Sequence, residues 1–557
     1  MEEKEKKDVK TGFGRRDFLK LGIAAGLVAG IPTGLIPVTR KNDAFAKVGS
    51  NTLGVTPPTL DELSCIADQY RLNLSRDDLK VYQGVIEGAI GSYRRISELE
   101  DPKLPVKYDR KRGYRPAARD NPLNAWYWRC SIEGSATGKL AGKKIALKDN
   151  ICVSGIPMMN GSAVLEGFVP DVDATVVTRI LDEGGKVIGK AVCEDLCFSG
   201  GSFTSATGPV LNPHNPKYNA GGSSSGPAAL LVNGDCDMAM GCDQGGSIRI
   251  PSSWSGAYGL KSTYGLVPYT GIFPIEQTLD HTGPMAMTVE NVALLLEAIA
   301  GKDPFDPRQR EEIITKPYTK ALTGNVNGLK FGIVKEGFAW EGASQEDVDS
   351  NVRAAANEFG KLGGKVTEVS IPMHRDGIHI WNAVATEGAL AQMVLHDGMG
   401  LNWQGYYTTG ILDFYGPARR NMADNFSDTV KFVILLGQYM ANKYYGRYYG
   451  KAQNLVPLLR KAYDDALKKV DILIMPTTPM KAMPLPPKNP TPAEYFGTAL
   501  GMIQNTSPFD CTHHPAMNVP CAKSDGLPVG MMLIGRKFED DVVLRAADAF
   551  QKTGKYS

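Results

Sequence analysis

The chain has 557 residues, of which 43% are hydrophobic and 22% charged, and its formal net charge at pH 7 is +2. This composition is typical of a globular protein long enough for more than one domain. A net charge so close to zero argues against a protein that binds nucleic acid or an acidic polymer. The nine cysteines are an odd number in a long chain, which argues against a small disulfide-stapled fold.

Residues 1–46 have the features of an export signal. Arg15 and Arg16 precede a weakly apolar, glycine-rich run at 21–38, and residues 44–46 provide small side chains for cleavage. The pattern resembles a twin-arginine signal peptide, so we expect a periplasmic or secreted protein. An uncleaved membrane anchor is the alternative. No later segment has the ~20 apolar residues of a spanning helix, so no stable membrane insertion is expected after cleavage.

Residues 47–120 are predicted to form a small helical domain followed by a linker rich in proline and arginine. Thr59 with Glu62, and Ser75 with Asp78, have the spacing of helix N-terminal caps. Apolar residues then recur at helical spacing on one face. We interpret that face as a packing or dimer surface and not as a ligand site.

Strand and helix patterns alternate through residues 121–557. The strands predicted from short apolar runs are 144–147, 186–192, 238–241, 329–334, 366–369, 472–475 and 529–534. Helices are predicted at 174–182, with Asp173 as the cap, and at 226–232. This alternation indicates an α/β fold with a mixed, largely parallel central sheet covered by helices. The aromatic-rich stretch 375–450 is predicted to form a lid or subdomain.

Two motifs rich in glycine and serine, at 219–226 and 243–251, carry the chemistry. In the second motif, Gly245 and Gly246 allow successive backbone N–H groups to point into one concavity beside Ser247. Such a turn can present a nucleophile and an oxyanion hole together.

A serine nucleophile needs a base, and none of the seven histidines lies in either motif. Lys148 ends a predicted buried strand, where loss of solvation lowers the pKa of a lysine and makes it a candidate base. The rival interpretation is an α/β-hydrolase with Ser224 in a G-x-S-x-G turn and His513 or His514 as its base.

The chain resembles the amidase signature family over residues 121–557, and within it the bacterial amidases that accompany nitrile metabolism and have an N-terminal helical domain. The segments that carry the resemblance are Lys148-Asp149-Asn150, Gly221-Gly222-Ser223-Ser224, Asp243 to Pro251 and Gly526 to Gly530. The first three are separate motifs in the family's order, and together they are far more specific than any one of them. The resemblance implies the amidase signature fold, a homodimer, and a reaction that needs no metal and no organic cofactor.

The resemblance also implies a role for each matching residue. Ser247 corresponds to the nucleophile, Lys148 to the general base, and Ser223 to a bridging serine that follows a cis peptide bond with Gly222. The backbone N–H groups expected to line the oxyanion hole are those of Gln244, Gly245, Gly246 and Ser247.

Other side chains near the motifs are given supporting roles. Ser224 and Asp149 are expected in the surrounding hydrogen-bond network, and Asp243 and Arg249 are expected to form a structural ion pair. Phe198 and Phe203 are candidates for the acyl pocket, with ordinary packing as the alternative.

These residues predict an exported serine amidase, an acylamide amidohydrolase that releases a carboxylic acid and ammonia or an amine through an acyl-enzyme on Ser247. Its expected partner is a small-molecule amide substrate. Two alternatives remain open: a non-catalytic periplasmic binding or scaffold protein with this fold, and a subunit like the amidotransferase that acts on misacylated transfer RNA.

Overall fold

The computed structural model describes residues 54–309 and 312–556, and the chain divides into two units after Lys103. The signal peptide predicted at 1–46 lies outside the described residues. No helix within the described ranges is long and apolar enough to cross a membrane.

The first unit contains two helices, α1 (Leu60–Gln69) and α2 (Arg76–Glu98). Both begin with the capping boxes predicted at Thr59 and Ser75, in which the hydroxyl accepts a backbone N–H three residues later. Three buried apolar residues of this unit, Leu63, Ala67 and Leu79, form one small cluster, and Ile90 is buried as well. The predicted pair of helices is therefore confirmed.

The second unit, residues 104–556, has a single large sheet. Its strands are β1 (Lys111–Tyr114), β2 (Trp126–Ile132), β3 (Lys144–Lys148), β4 (Lys186–Ala191), β5 (Met238–Asp243), β6 (Tyr258–Lys261), β7 (His281–Ala286), β8 (Lys330–Val334), β9 (Lys365–Val369), β10 (Ile472–Pro476), β11 (Ala516–Ser524) and β12 (Leu527–Ile534). Its helices are α3 (Thr175–Asp182), α4 (Ser225–Val232), α5 (Arg249–Ser255), α6 (Val289–Ile299), α7 (Glu346–Lys361), α8 (His374–Ala389), α9 (Thr409–Asn421), α10 (Asp428–Tyr444), α11 (Arg447–Leu467), α12 (Pro492–Leu500), α13 (Pro508–Thr512) and α14 (Asp540–Gln551). Short 3-10 turns connect several of them, and a π-helix, Leu390–Leu395, continues α8.

The strand order in the sheet is β1-β2-β4-β3-β5-β7-β6-β11-β12-β10-β8-β9. β3 is parallel to β4 and β5, and β8 is parallel to β9 and β10. The other neighbouring pairs are antiparallel. The mixed sheet confirms the predicted α/β class. It is less parallel than expected, because β6, β7, β11 and β12 lie between the two parallel groups and each pairs antiparallel with its neighbours.

The seven strands predicted from apolar runs are present, with ends that differ by at most two residues. One cap differs: α3 begins after Ala174, and the carboxylate of Asp173 instead accepts a hydrogen bond from Arg110 at 2.6 Å. Part of the predicted linker also forms a strand, β1, which pairs with β2. The stretch 375–450 is helical, as its pattern indicates.

The sheet brings the chemical motifs together at one edge. Parallel strands β3 and β5 are neighbours, so their carboxyl ends, at Lys148 and Asp243, point to the same side of the sheet, and Lys148 Nζ reaches the Cys242 carbonyl of β5. The segment before α4 carries Ser223, and the turn between β5 and α5 carries Ser247. Ligand sites in sheets of this kind form beyond the carboxyl ends of parallel strands.

Candidate active site

Lys148 and Ser223 are in direct side-chain contact in the site. Lys148 is completely buried at the end of β3, and its Nζ donates a hydrogen bond to Ser223 Oγ at 2.7 Å and to the Cys242 carbonyl at 3.4 Å. The Gly222–Ser223 peptide bond is cis, as the resemblance implies. In the described part of the chain, no carboxylate lies within ion-pair distance of Lys148. Its main side-chain partner is therefore a hydroxyl.

Ser247 lies in the turn between β5 and α5, and 7% of its surface is exposed. It lines a cleft together with Gln244 and Gly245. The Ser247 carbonyl accepts a hydrogen bond from the Ser224 N–H at 3.2 Å, which joins the two glycine-rich motifs. The helix begins at Arg249 and not at Ser247.

The turn offers fewer oxyanion donors than expected. The Gly246 N–H donates a hydrogen bond to Asp243 Oδ1 at 2.6 Å. This N–H group is therefore not available to an oxyanion. The N–H groups of Gln244, Gly245 and Ser247 have no hydrogen-bond partner among the residues described. Three of the four expected donors therefore have no protein acceptor in the described structure.

Asp243 and Arg249 form the expected ion pair. Arg249 Nε and Nη2 each lie 2.9 Å from a carboxylate oxygen of Asp243, and both side chains are fully buried. Nη2 also contacts Asp510 at 2.8 Å. Burial raises the pKa of Asp243, but the charge and hydrogen bonds of Arg249 outweigh it and lower that pKa to about 2. The pair holds the turn and does not face the cleft.

The supporting residues bind the elements next to the site. Ser224 Oγ donates to the Cys242 carbonyl at 3.2 Å and accepts the Cys242 N–H at 3.3 Å, so it fixes the first motif to β5. Asp149 forms a buried ion pair with Lys190 at 2.9 Å and also accepts two backbone N–H groups.

The cleft beside Ser247 is mainly apolar. Its apolar side chains include Phe198, Ile275, Leu279, Trp381, Leu500 and Ile503. Phe203 is not among the cleft residues that the structure describes; its ring packs edge-to-face on Tyr495 at 5.1 Å. Trp381 also donates its ring N–H to the Gln244 carbonyl at 2.6 Å. Sequence reasoning missed Trp381 and Ile503, because they are distant in the chain from any motif.

The two candidate histidines are engaged elsewhere. His513 stacks on Tyr264 at 3.9 Å and contacts the Thr278 carbonyl, and His514 contacts Thr512 and Asp464. Neither has a hydrogen bond to a motif serine in the described ranges. The geometry therefore favours Lys148 over a histidine base.

The charge state of Lys148 depends on the sulfur atoms around it. Burial lowers its pKa, as expected, but charge on Cys197, Cys242 and Cys193 raises it, and the net shift is upward. The upward shift requires negative charge on these sulfur atoms; when the thiols are protonated, only the effect of burial remains, and it lowers the pKa of Lys148.

Comparison with known proteins agrees with this geometry. The amidase family model matches residues 123–544. An enantioselective amidase of Rhodococcus rhodochrous is 43% identical over 508 residues, covering 90% of this chain and 97% of that protein. A glutamyl-tRNA(Gln) amidotransferase subunit from Methanosarcina mazei is 36% identical over 421 residues, covering 75% of this chain and 86% of that protein.

A solved structure also has the same fold. The native peptide amidase from Stenotrophomonas maltophilia superposes with a TM-score of 0.62 and 25% identity, covering 75% of this chain and 83% of that one. The family model spans most of the chain, and the Rhodococcus relative matches nearly its whole length. The chain therefore belongs to the amidase signature family and is an amide hydrolase.

Proposed function

We propose that the protein is an exported serine amidase that cleaves a carboxylic amide through an acyl-enzyme on Ser247. The observation that carries the proposal is the 2.7 Å contact between Lys148 Nζ and Ser223 Oγ, next to the cleft that Ser247 lines. A buried lysine whose partner is a hydroxyl can act as a base once it is neutral.

The relay follows from these positions. Neutral Lys148 accepts a proton from Ser223, which accepts one from Ser247, and Ser247 Oγ attacks the amide carbonyl. The free N–H groups of Gln244, Gly245 and Ser247 stabilise the oxyanion. Ser223 then protonates the leaving nitrogen, and water activated by the same relay releases the carboxylic acid.

The cleft supports a compact apolar acyl group, aliphatic or aryl, as the substrate's acid portion. Ile275, Leu279 and Ile503 provide aliphatic walls, and Phe198 and Trp381 provide aromatic ones. The name of the Rhodococcus relative, an enantioselective amidase, suggests that a pocket of this shape can distinguish mirror-image acyl groups.

Ammonia release from a panel of simple primary amides tests the mechanism, using the chain that starts at Lys47. We expect Ser247→Ala, Ser223→Ala and Lys148→Ala each to reduce kcat by about 10⁴-fold or more, since members of such a relay act as a unit. A chelator should have no effect. Ser224→Ala is the matched control, because Ser224 also lies in the motif, but its hydroxyl bonds the Cys242 backbone and neither Lys148 nor Ser247 among the described residues.

Turnover that survives in Ser247→Ala but is lost in Ser224→Ala would overturn the proposal in favour of the Ser224 nucleophile. A folded wild type without turnover on any amide would favour the non-catalytic alternative. The amidotransferase alternative predicts a need for further subunits, since the related Methanosarcina protein is one subunit of an enzyme, so hydrolysis of a free amide by the isolated chain argues against it.

We propose further that residues 1–46 direct export through the twin-arginine pathway and that the mature protein is a homodimer. The arginine pair and the weakly apolar run support export. Changing Arg15 and Arg16 to lysine should leave the full chain in the cytoplasm, as measured by cell fractionation. Light scattering should give the mature protein twice the mass of one chain.

A further inference from the structure

Trp381 contacts the turn that carries Ser247 from a distant part of the chain. This buried side chain belongs to α8 and lines the same cleft as Gln244, Gly245 and Ser247. Its ring N–H donates a hydrogen bond to the Gln244 carbonyl at 2.6 Å. Trp381 therefore reaches both the cleft and the backbone of the turn.

The ring of Trp381 also fills the space beside Gly245. A Cβ at Gly245 would lie 2.6 Å from Cζ2 of the indole and 3.1 Å from its Cε2. Gly245 is not among the residues with positive φ, so the ring, and not the backbone conformation, requires glycine here. The indole and the turn are therefore in close van der Waals contact as well as hydrogen-bonded.

The peptide unit between Gln244 and Gly245 couples this hydrogen bond to an oxyanion donor. A trans peptide unit is planar, and its C=O and N–H groups point in opposite directions. Because the Gln244 carbonyl is directed at Trp381, the direction of the Gly245 N–H is fixed as well. That N–H has no protein acceptor in the described structure, and it is one of the donors expected to line the oxyanion hole.

The next peptide unit of the turn, between Gly245 and Gly246, is held at both of its ends. The Thr506 hydroxyl donates to its carbonyl at 2.6 Å, and its N–H donates to Asp243 at 2.6 Å. Within the described ranges, the preceding unit has a hydrogen bond at its carbonyl end alone, and Trp381 supplies it. Loss of the indole N–H would therefore leave that unit without a hydrogen-bonding partner in the protein.

We propose that Trp381 is a positioning residue for amide hydrolysis, whose indole N–H orients the Gln244–Gly245 peptide so that the Gly245 N–H faces the oxyanion. The oxyanion forms from every amide substrate, so this role does not depend on the acyl group. The inference rests on the proposed function, because that function places the oxyanion at this turn.

Trp381→Phe tests the proposal, since it removes the ring N–H and keeps an aromatic wall in the cleft. Ammonia release is measured with the mature chain from Lys47, using propionamide and benzamide as an aliphatic and an aryl substrate. We expect kcat to fall by about 10- to 100-fold on both amides and KM to change by less than about threefold, because a misdirected oxyanion donor affects the transition state and not substrate binding. The midpoint of the pH dependence of kcat should not move, because Lys148 and Ser223 are unchanged.

Trp128→Phe is the matched control. The ring N–H of Trp128 also donates to a backbone carbonyl, that of Arg112 at 2.5 Å, but Trp128 does not line the cleft. This variant should keep the wild-type kcat. If Trp381→Phe does not fold, Trp381→Tyr takes its place, because it also lacks the indole N–H.

A crystal structure of Trp381→Phe gives a second readout that needs no turnover, and in it the Gln244 carbonyl should be rotated from its wild-type direction. An unmoved peptide, an unchanged kcat, a loss confined to one of the two amides, or an equal loss in Trp128→Phe would overturn the positioning role. A wild type without turnover that depends on Ser247 would instead overturn the proposed function, and this inference with it.

Discussion

The turn that carries Ser247 is shaped by the space around Gly246. This glycine has φ +136°, and a Cβ there would lie 2.4 Å from Thr506 Oγ1 and 2.6 Å from Ile250 Cδ1. Thr506 in turn donates to the Gly245 carbonyl at 2.6 Å, so it cannot move without releasing the turn. A side chain at this position would displace the oxyanion donors.

We therefore expect Gly246→Ala to reduce kcat by about 10²–10³-fold, the usual cost of losing an oxyanion donor. Steady-state ammonia release measures it. Gly526→Ala is the control: its φ is +77° and nothing lies within 4 Å of the added carbon. That substitution should lower the free energy of unfolding by about 1–2 kcal/mol and leave kcat unchanged. Equal losses of activity in both variants would contradict the steric argument.

Asp243 holds the same turn electrostatically. It accepts the Gly246 and Ile248 N–H groups and pairs with the buried Arg249. Asp243→Asn should destabilise the protein by about 3–5 kcal/mol, because it leaves Arg249 with less countercharge in the interior. Urea unfolding measures this. Asp465→Asn removes exposed ion pairs with Lys461 and Lys468 and should produce no measurable change.

At the scale of elements, His374 joins three segments of the second unit. Its Nε2 lies 3.0 Å from Asn505 Oδ1, and its Nδ1 lies 2.6 Å from the Tyr463 hydroxyl of α11. Asn505 Nδ2 donates to the Gly337 and Pro476 carbonyls, so its Oδ1 must accept and His374 Nε2 must carry the proton. Nδ1 then accepts from Tyr463, which requires a neutral ring.

This contact predicts a loss of stability in acid. Burial lowers the pKa of His374 to about 4, against a value near 6.5 in an unfolded chain. Below pH 6.5 the unfolded chain binds a proton that the folded chain excludes until about pH 4. The contribution of His374 is therefore complete above pH 6.5 and falls by on the order of 3 kcal/mol as the pH approaches 4.

Unfolding free energies from pH 7 to 4.5 measure this contribution. His374→Gln should be less stable at pH 7 and should lose less stability on acidification than wild type. His379→Gln, an exposed position on the same helix, should follow the wild-type curve. Parallel curves for wild type and His374→Gln would contradict the prediction.

The elements that sequence reasoning found and missed differ in composition. β3, β5 and β10 are short apolar runs, and such runs predict buried strands. β7 contains Gly283 and Pro284, which are residues depleted from strands, so its pattern was not recognised. β6 has only four residues, and it is held by its partners β7 and β11.

At the scale of the whole molecule, the residues assigned to the site lie in 104–556, whereas the described part of the first unit buries only four apolar residues, three of which form a cluster. A chain that starts at Leu104 is expected to fold and to hydrolyse amides within a factor of a few of the mature protein. Circular dichroism and ammonia release measure this. A folded but inactive truncated chain would show that residues 47–103 contribute to the site.

The sequence by itself determined the family, the order of the motifs and the types of residue at Lys148, Ser223 and Ser247. These follow from local patterns, since a glycine turn, a cap or an apolar run is readable over a few neighbouring residues. Only the tertiary structure decided that the Gly246 N–H is occupied by Asp243, that Trp381 and Ile503 line the cleft, and that Cys197 lies beside Lys148. These are contacts of residues mostly far apart in the chain, made through space when the sheet forms, and a local pattern does not encode them.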